Sequence, residues 1–374
     1  MAAGGQLVGY VLGALNLQQI FGDLLGNTQF KQVVFIAGLA LVLSICVTSW
    51  AVTEKVLLSP EISEKGQRDS PTAMLMQIVR TTLNLPARMR AICWIQFWSW
   101  VGWFPFLFYS TTWVGEIYLR YHAKTSGKVS EDHLAEIGRV GSTSLVVFSS
   151  IMMCGSLLLP FLVETPEENV LLMPRSPSAP PSPGLNARRK PTLLTAWIWS
   201  SLLFGVTLMV TPLVSTIRTA AFIVAVCGLP WTFASWAPFT FMGVEINRLS
   251  ADPIPLTVDR SSERLSITMI DSQDEVVAKR VSLLGDDKAA QEEMAGIYLG
   301  ILNLFTTLPQ FVGTFISMIV FRLLEPGKSP ELTEDPHNRH PPENGVNAIA
   351  VCMFIGGICS LIASHLTRKL RRMR

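Results

Sequence analysis

Residues 295–321 read AGIYLGILNLFTTLPQFVGTFISMIVF, and this stretch decides the fold class. It is mainly apolar and longer than the roughly 20 residues a helix needs to cross the hydrocarbon of a bilayer. The stretch therefore predicts a membrane-spanning helix. Its polar members are ordered: Asn303, Thr306, Thr307 and Gln310 follow i, i+3, i+4, i+7, which gathers them on one helical face. Gly296 and Gly300 lie on that face one and two turns earlier. A polar group in hydrocarbon needs a partner or a water-filled cavity. Two readings stand: a hydrated path whose amides and hydroxyls hydrogen-bond a polyhydroxy solute, or a dry seam between helices.

Seven further stretches meet the same length criterion, at about 3–20, 31–52, 91–113, 140–163, 192–213, 219–243 and 345–366. The whole chain agrees with them. Its 374 residues are 49% hydrophobic and only 16% charged, with a mean hydropathy of +0.38. A soluble domain carries about 25% charge, so a soluble enzyme is excluded, as is a disordered chain. A formal net charge of +2 implies no nucleic-acid partner. The expected class is an all-α membrane protein of about eight transmembrane helices, with the lipid bilayer as its solvent.

Lys and Arg sort the connecting segments, because positive loops resist translocation. Of the 30 basic residues, 21 fall on one side and nine on the other, which assigns the richer side and both termini to the cytosol. The cytosolic segments are read as 54–90, 164–191, 247–292 and a basic tail, 368–374. Pro174 to Pro183 forms a Pro/Ser tract that cannot pack a core. No metal, nucleotide or nucleophile motif occurs, so neither a cofactor nor an enzymatic activity is expected. His122, His133, His337 and His340 lie in polar outer loops without ligand spacing. The six cysteines lie in or beside apolar runs and read as small buried hydrophobes.

The third stretch carries a second mixed face. Gln96, Ser99, Trp103, Phe106 and Ser110 occupy about a third of the helix circumference, combining hydrogen-bonding groups with aromatic faces. Sugars present C–H patches as well as hydroxyls, so this mixture suits them. Trp94 and Trp113 sit at the two helix ends, where interfacial tryptophans are expected. Gly5, Gly9 and Gly13 form a double GxxxG run, the pattern of close helix approach; a cavity role would place Gln6 and Tyr10 beside the solute. Pro230 and Pro238 interrupt the sixth stretch. Deep carboxylates are scarce: Glu116 near an outer helix end is the protonatable candidate, and Glu245 reads as a solvated inner end.

Four helical segments and one connecting segment together resemble a known family. WFPFLFYSTTWVGE (103–116) is similar to the seventh helix of the sucrose transporters, whose plant members read WFPFxxFDTDWMGRE. GIYLGILNLFTTLPQ (296–310) resembles their eleventh helix, and AGGQLVGY (3–10) their fifth, with LGNTQFK (25–31) like the fungal branch. GLPWTFASWAPF (228–239) resembles the tenth-helix segment. The family belongs to the major facilitator superfamily and imports sucrose, maltose or related glucosides with protons.

The resemblance implies a transporter working by alternating access. It implies two helices of an N-terminal bundle (1–53) and a complete six-helix C-terminal bundle (91–367). It also implies that the family's first four helices are missing, so that this chain is a truncated form and transports poorly unless it pairs with a full-length transporter. Two plant aspartates are Ser110 and Thr112 here, so proton coupling rests on Glu116. Substrate contacts are expected from Gln96, Ser99, Trp103, Ser110, Asn303, Thr306, Thr307 and Gln310. The expected partners are a sugar and a proton, in the plasma or vacuolar membrane. The competing expectation is a non-transporting membrane partner or sensor derived from such a transporter.

Overall fold

The computed structural model describes residues 2–52, 71–118, 133–164, 190–251, 273–324 and 347–373. The Pro/Ser tract and three of the four outer histidines, His122, His337 and His340, lie outside these residues. The described chain is all-α; its one extended contact is an isolated bridge between Glu164 and Thr192. In chain order the helices are α1 (Ala2–Ala14), α2 (Leu17–Phe21), α3 (Gln29–Ala51), α4 (Pro71–Leu83), α5 (Ala87–Tyr118) and α6 (His133–Leu162). They continue with α7 (Leu193–Met209), α8 (Ile217–Val226), α9 (Gly228–Ala251), α10 (Gln273–Leu324) and α11 (Ala348–Leu370).

Side-chain caps set several of these starts. Thr28, Thr192, Thr216 and Asn347 each accept a hydrogen bond from the backbone N–H three residues on, satisfying a donor the helix leaves orphaned. Asn16 caps α2 in the same way. That cap divides the first apolar stretch: α1 is only 13 residues long, short of a membrane span. Seven helical segments among the described residues are long and apolar enough to cross, rather than the eight expected. The turn leading into α3 is held by two amides of that helix. Gln29 Nε2 donates to Leu15 O at 2.7 Å, and Gln32 Nε2 to Gly26 O at 2.8 Å. Gly26, at φ +134°, takes a conformation that side chains disfavour.

The packing centre is α11, wedged between α5 and α7 by glycines. A Cβ on Gly102 of α5 would fall 2.6 Å from Gly356 O, and one on Gly357 would fall 2.8 Å from Gly205 O of α7. Backbones meet there without side chains between them, as membrane helices do in the absence of a hydrophobic drive. Hydroxyls complete the seam: Ser360 Oγ donates to Ser201 O and Ser364 Oγ to Ile198 O, both at 3.0 Å. One apolar cluster gathers around Met89, Trp197 and Met242, toward the Arg88 end of the bundle. A second gathers around Trp103, Phe148 and Phe204, toward the Glu116 end.

Several expectations are corrected by this packing. Trp113 is 1% exposed and belongs to the second cluster, because α5 is enclosed where an interfacial residue would need open headgroups. The sixth stretch breaks at Cys227–Gly228, ahead of both prolines: Pro230 falls in the first turn of α9, where its missing N–H costs nothing, and Pro238 lies within the helix. In the GxxxGxxxG run only Gly13 makes a close approach, to Ser142 Oγ of α6, while Gly5 and Gly9 face open space. Cys93, Cys227, Cys352 and Cys359 are buried, but Cys46 and Cys154 are exposed on outward faces of α3 and α6. The segment read as loop 247–292 is helical from Gln273 onward, where the run of Ala, Glu, Lys and Leu favours helix.

Candidate functional site

The exposed surface of α10 is divided lengthwise. One stripe holds Asn303, Thr307, Gln310 and Thr314, all exposed. Beside it runs a second exposed stripe of Leu304, Leu308, Phe311 and Phe315, a surface suited to lipid. The opposite side, with Leu302, Pro309, Gly313 and Ser317, is buried against the bundle. The polar stripe thus lies between the packed seam and the apolar surface. Thr307 Oγ1 donates to Asn303 O at 3.0 Å, which satisfies its hydroxyl along the helix. The Asn303 and Gln310 amides have no hydrogen-bond partner among the described residues and are open to a solute.

The α5 face is placed differently. Gln96, Ser99, Trp103 and Ser110 are all buried. Gln96 alone reaches α10, where its Nε2 donates to Thr306 Oγ1 at 3.3 Å; Thr306 is half-buried and also donates to Leu302 O at 3.1 Å. Ser99 and Trp103 point toward α7, α9 and α11, around a cavity of about 10 Å³ lined also by Ser200, Ser201 and Ser360. That space admits about one water and no sugar. Trp103 stacks on Phe204 of α7 with ring centroids 3.6 Å apart, and Ser110 is buried nearer the Glu116 end of α5. The two expected faces therefore meet at one contact, Gln96 to Thr306, and do not share a single cleft.

Another aromatic set stands nearer the surface. Trp100 is half-buried between Phe104, at 5.4 Å, and Trp231 of α9, at 5.9 Å. Its indole N–H lacks a hydrogen-bond partner among the described residues. Phe104 in turn lies against α10, where a Cβ on Gly313 would fall 3.4 Å from Phe104 Cβ. These groups border the side of α5 on which Gln96 reaches α10, and they offer ring faces; the Trp100 indole nitrogen itself is shielded from solvent. The sequence held a signal for Trp100: it lies four residues after Gln96, on the same helical side.

Two carboxylates mark the ends of the bundle. Glu116 accepts a hydrogen bond from Asn347 Nδ2 at 2.8 Å, while the Asn347 side-chain oxygen caps α11 through Ala350 N at 3.0 Å. Glu245, read as a solvated end, is instead 8% exposed and ion-paired to Arg88 at 2.7 Å. Burial of a carboxylate requires such a partner, and Arg88 lies too far away in sequence to be seen beforehand. Among the described residues no group of His, Cys, Asp and Glu has the arrangement of a metal site.

No family model matches the chain. Over 98% of its length it is 25% identical to the general alpha-glucoside permease of Schizosaccharomyces pombe, of which it covers 65%. It is 32% identical over 91 residues to the sucrose transport protein SUT4 of Oryza sativa subsp. indica, covering 24% of this chain and 15% of that protein. The sucrose transport protein SUT5 of the same plant is 28% identical over 134 residues, covering 35% of this chain and 24% of that protein. The chain thus spans less than two thirds of the length of each of these relatives.

Proposed function

We propose that this all-α membrane protein, a relative of the alpha-glucoside permease and the sucrose transport proteins, carries a sugar of the sucrose or maltose class across its membrane. The single observation that carries the reading is the polar stripe Asn303, Thr307, Gln310 and Thr314 on an otherwise apolar spanning helix. Exposed amides at bilayer depth are costly unless water or a hydroxylated solute satisfies them. An amide both donates and accepts, so Asn303 and Gln310 suit vicinal hydroxyls, while Trp100 adds a ring face for C–H groups. Thr306 would steady the stripe through Gln96. Ser99, Trp103 and Ser110 would support the wall from behind.

Transport would proceed by alternating access with proton coupling through Glu116. The Asn347 amide donates to this carboxylate at 2.8 Å, so a proton taken up there would be felt at the start of α11. The test is uptake of radiolabelled sucrose and maltose, with medium alkalinisation, in yeast lacking its own transporters. Saturable uptake that falls at least about tenfold in N303L/Q310L at equal surface expression supports the proposal, since two lost hydrogen bonds to a solute correspond to such a factor. Uptake indifferent to N303L/Q310L, or absent from every form tested, overturns it.

A second reading, a non-transporting partner of another membrane protein, is favoured by α3, whose most apolar 18-residue window has no buried residue. Co-purification with a sugar transporter in the absence of any uptake would select it.

A further inference from the structure

At the basic end of the bundle, α5 and α11 leave a groove of about 290 Å³. Its walls are apolar, with Trp94 and Trp98 from α5 facing Leu366 and Leu370 from α11. Its mouth is cationic, with Arg90 on one side and Lys369 on the other. Arg88, two residues before Arg90, is neutralised by Glu245. Arg90 and Lys369 have no ion pair among the described residues.

The outward face of α11 continues the pattern. Ile358 and Ile362 are exposed deeper in the bilayer, and His365, Arg368, Lys369 and Arg372 follow at the helix end with i, i+3, i+4, i+7 spacing. The order along the helix axis is therefore apolar, aromatic, cationic. An anionic phospholipid of the same leaflet has the matching order, with acyl chains below and phosphate above. Trp94, 46% exposed beside Arg90, lies where an amphipathic ring prefers to sit. A free phosphate would need the cations but not the aromatic wall, and a neutral lipid the wall but not the cations.

We propose that this groove is a site for one anionic phospholipid of the basic-side leaflet, its headgroup held between Arg90 and Lys369 and its chains lying along Trp94, Trp98 and Leu366. Basic pockets between helices on that side attract such headgroups, with each cation contributing severalfold in affinity.

The experiment is native mass spectrometry of the full 374-residue chain, released from micelles containing equal phosphatidylserine and phosphatidylcholine. The expected result is one retained phosphatidylserine, preferred by about tenfold. R90Q/K369Q should abolish the preference, and R90K/K369R should keep it. K31Q/R218Q, which removes the same charge from the other side, should leave it intact. Preference surviving R90Q/K369Q overturns the site, as does equal loss in K31Q/R218Q. Displacement of the lipid by equimolar glycerophosphoserine would also overturn it, because the pocket would then be reading a soluble anion.

Discussion

Arg88 of α5 donates to Glu245 of α9 at 2.7 Å, joining helix ends 157 residues apart in sequence. The same guanidinium also donates to the Met373 carbonyl beyond α11, and Arg248 approaches Glu245 at 3.4 Å. The ends of α5 and α9 thus meet at one carboxylate that is almost out of water, and the chain beyond α11 is tied to the same arginine. Removing one partner leaves the other charge stranded, whereas removing both does not. E245M is expected to lose about 3 kcal/mol of stability, and R88M/E245M to recover to within about 1 kcal/mol of the parent. Thermal unfolding in detergent, followed by tryptophan emission, measures both; equal loss in the two variants would show that the pair does not act as a unit.

The glycine wedge gives a sharper contrast. G356A places a methyl group 2.8 Å from Gly102 O, with backbone rather than a mobile side chain in the way. Overpacking of this kind costs about 1–3 kcal/mol. A Cβ on Gly243 of α9 meets nothing within 4 Å, so G243A should gain about 0.5–1 kcal/mol from reduced chain entropy. Denaturation midpoints of the two variants should move in opposite directions.

Gln96 and Thr306 form the one hydrogen bond between the two expected site faces. A double-mutant cycle of Q96L and T306V should give a coupling energy of about 1 kcal/mol. In uptake assays Q96L should raise KM more than it lowers kcat if Gln96 steadies the stripe. A pure loss of folded protein would lower the apparent kcat alone.

Asn347 serves two neighbours, Glu116 and the first turn of α11. N347D keeps the cap but sets a second carboxylate against Glu116. Like charges so close repel, so N347D should unfold at a lower temperature than the parent in detergent. N347S retains the cap without the charge and should unfold above N347D, while N347A should cost about 1 kcal/mol of stability.

The spanning segments were legible in the sequence because their apolar runs exceed any other use a chain has for them. The stripe on α10 was legible for the complementary reason: a few amides and hydroxyls in a greasy helix leave little ambiguity about which side is unusual. The rotation of α5 was not. WIQFWSWVGWFPF (94–106) is aromatic on every side, so nothing local says which ring faces inward. The choice is made by Gly102, whose bare backbone must meet Gly356, and this turns Trp103 into the interior and leaves Trp100 half-exposed. Glu245 was misread for a similar reason, since its partner is contributed by another helix. The shortened first helix is a smaller lesson: Asn16 has the chemistry of a cap, and an apolar average conceals it.

The meeting of Gly102, Gly205, Gly356 and Gly357 constrains how any working cycle could unfold. Backbones in direct contact act as interlocked teeth: they permit no slippage between α5, α7 and α11, which must therefore travel as a single plank. Any rearrangement the bundle makes falls to the lighter parts of the molecule, α3 above all, whose most apolar window has no buried residue. Cross-links within the plank should be harmless, and cross-links from it to those parts should arrest the cycle.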